Sequence, residues 1–242
     1  MNESSNSPSM PIWSRAGFVL GARLASPILP GMMAFALAVG ATAARKGFSL
    51  AELILMNGFV YAGASQIVAM EIWPDHFTLG AVATIALVTA TMNSRLLLMG
   101  ASLRPWFAPL PSWQTYPMLH LNTDPGWLIA MRYRAEGGND AAVFLGGGVL
   151  IFVMWMAGTS AGYLLGSLIS DPRKYGIDLV MPVFFATLLI PLWHNAPRAR
   201  RAIGWIVAAL VALAVERLFQ GWWFIVAGAV AGALAEGFAD ER

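Results

Sequence analysis

The chemistry available to this chain rests on a few polar residues set in apolar surroundings. Arg95 stands nine residues before Arg104 in an otherwise apolar stretch, so ~13 Å along a helix from that end. An arginine at the centre of a bilayer costs about 2.5–3.5 kcal/mol on insertion scales, and something must offset that. Snorkelling toward the nearer face would do so, as would an ion pair with Asp124 or Glu52. The functional alternative is a guanidinium that faces the bundle interior and holds a solute carboxylate by two parallel bonds. Asn93, two residues earlier, falls on a different helix face and suits a bond to a neighbouring helix. Asp124 lies between Thr123 and Pro125. It fits a helix N-cap with Pro125 at the first helical position. The alternative is a protonatable carboxylate for a solute ammonium or a coupling proton.

A second candidate is Tyr61-Ala62-Gly63-Ala64-Ser65-Gln66, in the middle of an apolar run from Ala51 to Ile72. Such a run makes a helix about 33 Å long, enough to cross a bilayer. Gly63, Ala64 and Ser65 let another backbone approach closely, and Ser65 and Gln66 need protein partners because lipid supplies none. The stretch is either a packing notch, with Gln66 bonded to a neighbouring helix, or a broken helix whose freed groups line a solute site near the membrane midplane. A third is Ser26-Pro27-Ile28-Leu29-Pro30-Gly31, where two prolines and a glycine should break or kink a helix. A short interfacial helix ahead of a true span is the other option there. Pro27–Gly31 and Ala62–Gln66 are expected to meet near the midplane, since non-helical backbone at that depth must be buried in protein or line a cavity.

These residues need a membrane scaffold. Of 242 residues, 58% are hydrophobic and 12% charged, and the mean hydropathy is +0.64. A soluble domain would carry about a quarter charged residues. The net charge of +2 comes from basic residues scattered between apolar spans, which excludes a nucleic-acid surface. The absence of cysteine excludes disulfides, thiolate metal sites and a cysteine nucleophile. No metal or other cofactor is expected. Met1–Met10 is polar without a basic n-region, so the first apolar segment is expected to remain in the protein.

The expected fold is all-α, a polytopic membrane helix bundle forming one transporter domain over residues 1–242. Its spans are Gly17–Ala43, Ala51–Ile72, Leu79–Leu103, Ala142–Leu168, Asp178–Trp193, Ala202–Leu218 and Trp222–Phe238. That is seven spans, or six if the first segment is re-entrant, with broken helices near the midplane. Residues 104–140 hold five prolines and are read as a loop with short helices. Gly158, Gly162 and Gly166 form one small-residue ridge and Gly228 and Gly232 another. At least one ridge should pack inside the chain; the other is either internal as well or a candidate partner face. Arg45, Lys46, Arg104, Arg132, Arg134, Arg198, Arg200 and Arg201 gather on alternate loops, which favours the N-terminus outside and the C-terminus inside.

Four stretches carry a resemblance to the AzlC family, the large subunit of branched-chain amino-acid exporters. Pro27-Ile28-Leu29-Pro30-Gly31 with Ala34-Phe35-Ala36-Leu37-Ala38 is similar to its first-span motif. Tyr61–Gln66 resembles its aromatic-Ala-Gly-Ala-Ser-Gln signature, the most specific of the four. Asn93-Ser94-Arg95 resembles its Asn-x-Arg segment, and Thr123-Asp124 its Thr-Asp-Glu segment. Leu96, Met99 and Pro125 stand where the family commonly has His, Tyr and Glu, which removes polar groups near the candidate site. The resemblance implies a multi-pass protein of the cytoplasmic membrane that exports small amino acids with a small AzlD-type membrane subunit, and no enzymatic activity. Two other classes compete: an intramembrane enzyme built on His120 and Asp124, and a non-transporting membrane scaffold. The first lacks convergent catalytic groups, and the second has no use for an arginine at depth.

Overall fold

The computed structural model describes residues 13–166, 186, 203–219 and 223–240. Among these the regular structure is helical: α1 (Arg15–Ala25), α2 (Leu29–Arg45), α3 (Leu50–Phe59), α4 (Gly63–Glu71), α5 (Leu79–Phe107), α6 (Ser112–His120), α7 (Asp124–Ala135), α8 (Ala141–Gly166), α9 (Ile203–Leu218) and α10 (Trp223–Asp240). The chain forms two compact units, Met1–Met70 with Asn93–Val180 and Glu71–Met92 with Met181–Arg242. Helix α5 contributes to both. Arg15–Arg45, Leu79–Phe107 and Ala141–Gly166 are long and apolar enough to cross a membrane. Apart from Ala186, the expected fifth span, Asp178–Trp193, lies outside the described residues.

The first span is not broken. Ser26–Ile28 forms a single 3-10 turn with right-handed helical backbone on both sides. The Ser26 N–H still donates to Ala22 and Arg23 carbonyls. Pro27 and Pro30 each occupy the first turn of their own segment, where a missing N–H removes no helix bond. The predicted break therefore shrinks to a tightening of pitch.

Helix α8 runs against both α1 and α2 in the first unit, and small residues explain how closely. A Cβ on Gly158 would lie 2.7 Å from that of Ala36, and Cβ atoms on Gly146 and Gly162 would strike the backbones of Phe18 and Leu37. On the facing helices, Gly21 and Gly40 meet the carbonyls of Val143 and Thr159 in the same way. The ridge read from the sequence is thus half of a two-sided seam. The Gly228–Gly232 ridge also faces inward, against Gly204, Ala208 and Ala212 of α9. Neither ridge is left for a partner.

The starts of α1 and α8 are capped together. Ser14 accepts from the Gly17 N–H at 2.8 Å and closes the N-terminus of α1. Its hydroxyl donates to the Asp140 carboxylate, which also accepts from the Ala142 N–H at 3.0 Å. One buried aspartate thus joins the starts of α1 and α8. At the other end of α2, Gly47 takes φ +80°, where any side chain would be strained.

Residues 104–140 are more helical than their prolines suggest. Pro105 falls inside the last turn of α5 and Pro117 inside α6, while Pro111 is the N-cap residue of α6 and Pro125 lies in the first turn of α7. Leu103, Trp106, Phe107, Leu110, Met118 and Phe144 form a core there, and the Arg134 guanidinium lies 5.2 Å from the Trp106 ring centroid.

Candidate functional site

The second span divides at Val60-Tyr61-Ala62, between α3 and α4. Val60 leaves the helical region with φ −123° and ψ 71°. The Ala62 N–H turns back to the Val60 carbonyl at 2.8 Å. Gln66 bridges the break: its Nε2 donates to the Val60 carbonyl at 2.7 Å and to Asn57 Oδ1 at 3.0 Å. Asn57 Oδ1 also accepts from Trp155 Nε1 at 3.1 Å. Asn57 Nδ2 donates to Thr159 Oγ1 at 2.8 Å, and the Thr159 hydroxyl donates to the Trp155 carbonyl at 2.8 Å. Asn57, Gln66 and Thr159 are fully buried. Ser65 donates to the Ala62 carbonyl at 3.0 Å, completing the local satisfaction of the broken backbone.

Close packing and breakage therefore coexist here. A Cβ on Gly63 would overlap the Trp155 indole and lie 2.9 Å from the Phe35 ring. Tyr61 packs edge-on against Phe152 at 5.0 Å, with the His120 ring 6.3 Å away. The Tyr61 hydroxyl and Gln66 Oε1 are buried without a hydrogen-bond partner. Ala64 is buried in the first turn of α4.

The charged pair forms a second cluster. Arg95 Nη2 donates to Asp124 Oδ2 at 3.0 Å. Arg95 Nε lies 3.0 Å from Oδ1, within ion-pair distance but out of line for a hydrogen bond. The side chains are 38% and 31% exposed. Asp124 is not the N-cap expected from the sequence. Thr123 takes that role, accepting from the Gly126 N–H at 3.3 Å, and Asp124 is the first residue of α7. The one-residue offset leaves the carboxylate free to face Arg95. Glu52, the other expected partner, is held by Ser49 in a capping box. His120 and Asp124 do not share a helix: the one ends α6 and the other begins α7.

Between α5 and α6 lies a mostly apolar cavity of about 650 Å³. Leu96, Gly100, Phe107 and Leu119 line it, with Arg104 and Asn122. Asn122 is 3% exposed, and both polar atoms of its side chain lack a partner.

The sequence candidates thus divide into groups. Tyr61, Gly63, Ala64, Ser65 and Gln66 cluster at the break, and Arg95 joins Asp124. Asn93 lies apart from both sets of bonds, its Oδ1 buried without a partner. Pro27, Pro30 and Gly31 do not join the break as expected: all three are exposed on their helix, and Gly31 has open space around it. Phe35, one turn beyond Gly31, supplies the contact to Gly63 instead. Asn57, Trp155, Thr159 and Asn122 were not singled out from the sequence. A lone amide inside an apolar run was the available signal for Asn57.

Apolar helices that enclose an amide cluster, a broken span and a charged pair define an integral membrane protein of the polytopic kind. The chain belongs to the AzlC family, whose profile, described as AzlC protein, matches residues 27–169. Among its relatives are membrane proteins of two strains of Helicobacter pylori, described as uncharacterized. They are 26% and 25% identical over 209 residues, 86% of this chain and 88% of each relative. A Bacillus subtilis protein named as the branched-chain amino acid transport protein AzlC is 26% identical over 206 residues, 83% of this chain and 76% of that protein. No solved structure matches the chain.

Proposed function

We propose that this chain is the large subunit of a two-component exporter of small, branched-chain-like amino acids in the cytoplasmic membrane, and that it catalyses no chemical reaction. The observation that carries this is Arg95. Its guanidinium is held on α5 with a carboxylate against its Nε and Nη2 edge, the face that would receive an amino-acid carboxylate. The name of the Bacillus subtilis relative supports the substrate class. The broken span supports transport, because non-helical backbone within a membrane span, as at Val60–Ala62, is a feature of solute sites in transporters. A scaffold reading loses support, since both glycine ridges are occupied within the chain.

The test is efflux from cells loaded with a leucine dipeptide, with this chain expressed with and without a small AzlD-type subunit. The expected result is faster leucine efflux that needs both subunits. Equal efflux from cells lacking the chain refutes the proposal.

A further inference from the structure

We infer that Asp124 is a resident carboxylate that holds the substrate's place on Arg95, so that solute loads and leaves by exchange of one carboxylate for another at a single guanidinium. This rests on the transport role proposed above and adds how the binding group is occupied between substrates. A guanidinium without a counterion is costly in a membrane, so a transporter that binds carboxylates through Arg95 needs something there when no solute is bound.

Four features make Asp124 an exchangeable partner rather than a fixed strut. First, Asp124 has no competing duty, because Thr123 caps α7. Second, it lies in the first turn of α7, where the helix dipole favours a negative charge even after Arg95 has gone. Third, the pair is not saturated. One arm makes a hydrogen bond, while Nε sits close to Oδ1 without alignment, so a freely oriented carboxylate can make the better fork. Fourth, the pair is reachable. Both side chains are about one-third exposed, with Arg95 Nε itself buried, whereas the Asn57–Gln66–Thr159 cluster is sealed throughout. The apolar cavity is lined by Leu96 and Asn122, which lie one and two residues along the chain from Arg95 and Asp124. Arg95 and Asp124 are not themselves part of its lining.

The exchange predicts an effect opposite to that of removing a binding residue. Substrate affinity is reduced by the fraction of time the guanidinium is occupied. If Asp124 holds Arg95 nine-tenths of the time, Asp124→Asn tightens carboxylate binding by about tenfold. Turnover falls, because the substrate has lost the group that displaces it.

The experiment labels arginine with phenylglyoxal in membrane vesicles holding the full chain, and follows the Arg95 peptide by mass spectrometry. The probes are L-leucine, isovalerate (the carboxylate without the ammonium) and isopentylamine (the reverse). Labelling of Arg95 is expected to be slow in the wild type and severalfold faster in Asp124→Asn. Leucine and isovalerate should slow it again, at concentrations about tenfold lower than the wild type requires, and isopentylamine should have no effect. Asp124→Glu keeps a carboxylate and should label slowly, so the reading survives if the Asn variant inserts poorly. Equal labelling rates in wild type and Asp124→Asn, or weaker protection by isovalerate in the variant, overturns the exchange. This readout is independent of efflux. Failure of leucine efflux in the wild type would overturn the transport role itself, while normal efflux with unchanged labelling would overturn the exchange only.

Discussion

Asn57→Ala is the perturbation whose size the structure best defines. The side chain makes three hydrogen bonds, to Thr159, Gln66 and Trp155. Interhelical bonds in membrane proteins are worth about 0.6 kcal/mol each, so the bonds themselves contribute roughly 2 kcal/mol. The remainder depends on which partners are left without a mate. Gln66 keeps the Val60 carbonyl, and Thr159 keeps the Trp155 carbonyl. The Trp155 indole N–H makes no other hydrogen bond, and a buried orphan costs about 1–3 kcal/mol. The expected loss is therefore about 3–5 kcal/mol, measured by reversible unfolding in bicelles. Trp155→Phe removes the orphan, so the double variant should recover about 1–3 kcal/mol relative to additivity. A loss below about 1 kcal/mol, or strict additivity with Trp155→Phe, would refute the view that the amide ties the broken span to α8.

The remaining predictions use contrasts within the chain. Gly162→Ala should lower the unfolding midpoint clearly, because its methyl meets the Leu37 backbone, whereas Gly31→Ala faces open space and should be neutral or stabilising by up to about 1 kcal/mol. Thr123→Ala should cost about 0.5–2 kcal/mol by loss of the α7 cap, while Asp124→Asn leaves that cap intact; thermal unfolding in detergent distinguishes them. Arg95→Lys should insert normally, since it keeps the charge, yet lose most efflux because the planar fork is gone; normal efflux would show that charge suffices.

The long apolar helices were legible because composition and length specify them, and α8 begins one residue before its expected start. Punctuation was harder to read. Pro27 and Pro30 signal a break in sequence, but a proline in a first turn is compatible with a continuing helix, and the structure continues. The real break, at Val60–Ala62, contains no proline and a glycine only at its edge. Its cause is tertiary: Gln66 compensates the broken backbone and Gly63 admits Trp155. Arg95 and Asp124 were each identifiable as groups needing partners, and their pairing was one of the expected options. The choice of Thr123 over Asp124 as cap is a one-residue distinction that local propensity does not resolve, because both residues cap well. Asn57, Trp155 and Thr159 escaped notice because each has an ordinary role in a membrane helix, and only the fold shows that they converge.

The seam between α8 and the α1–α2 span has a mechanical consequence. Sliding one helix past another normally proceeds by side chains hopping between alternative rotamers. Along this seam many contacts are glycine against main chain, as at Gly21 with Val143 and Gly40 with Thr159, and the main chain has no rotamers to exchange. A displacement of even half a residue would drive a neighbouring side chain into a carbonyl. The α1, α2 and α8 helices should therefore move as one block, with any change of shape in this unit left to the parts joined to it by side chains, α3 and α4 meeting at Val60–Ala62, and α7 held to α5 by the Arg95–Asp124 pair, the Trp127–Ser102 hydrogen bond and shared apolar packing.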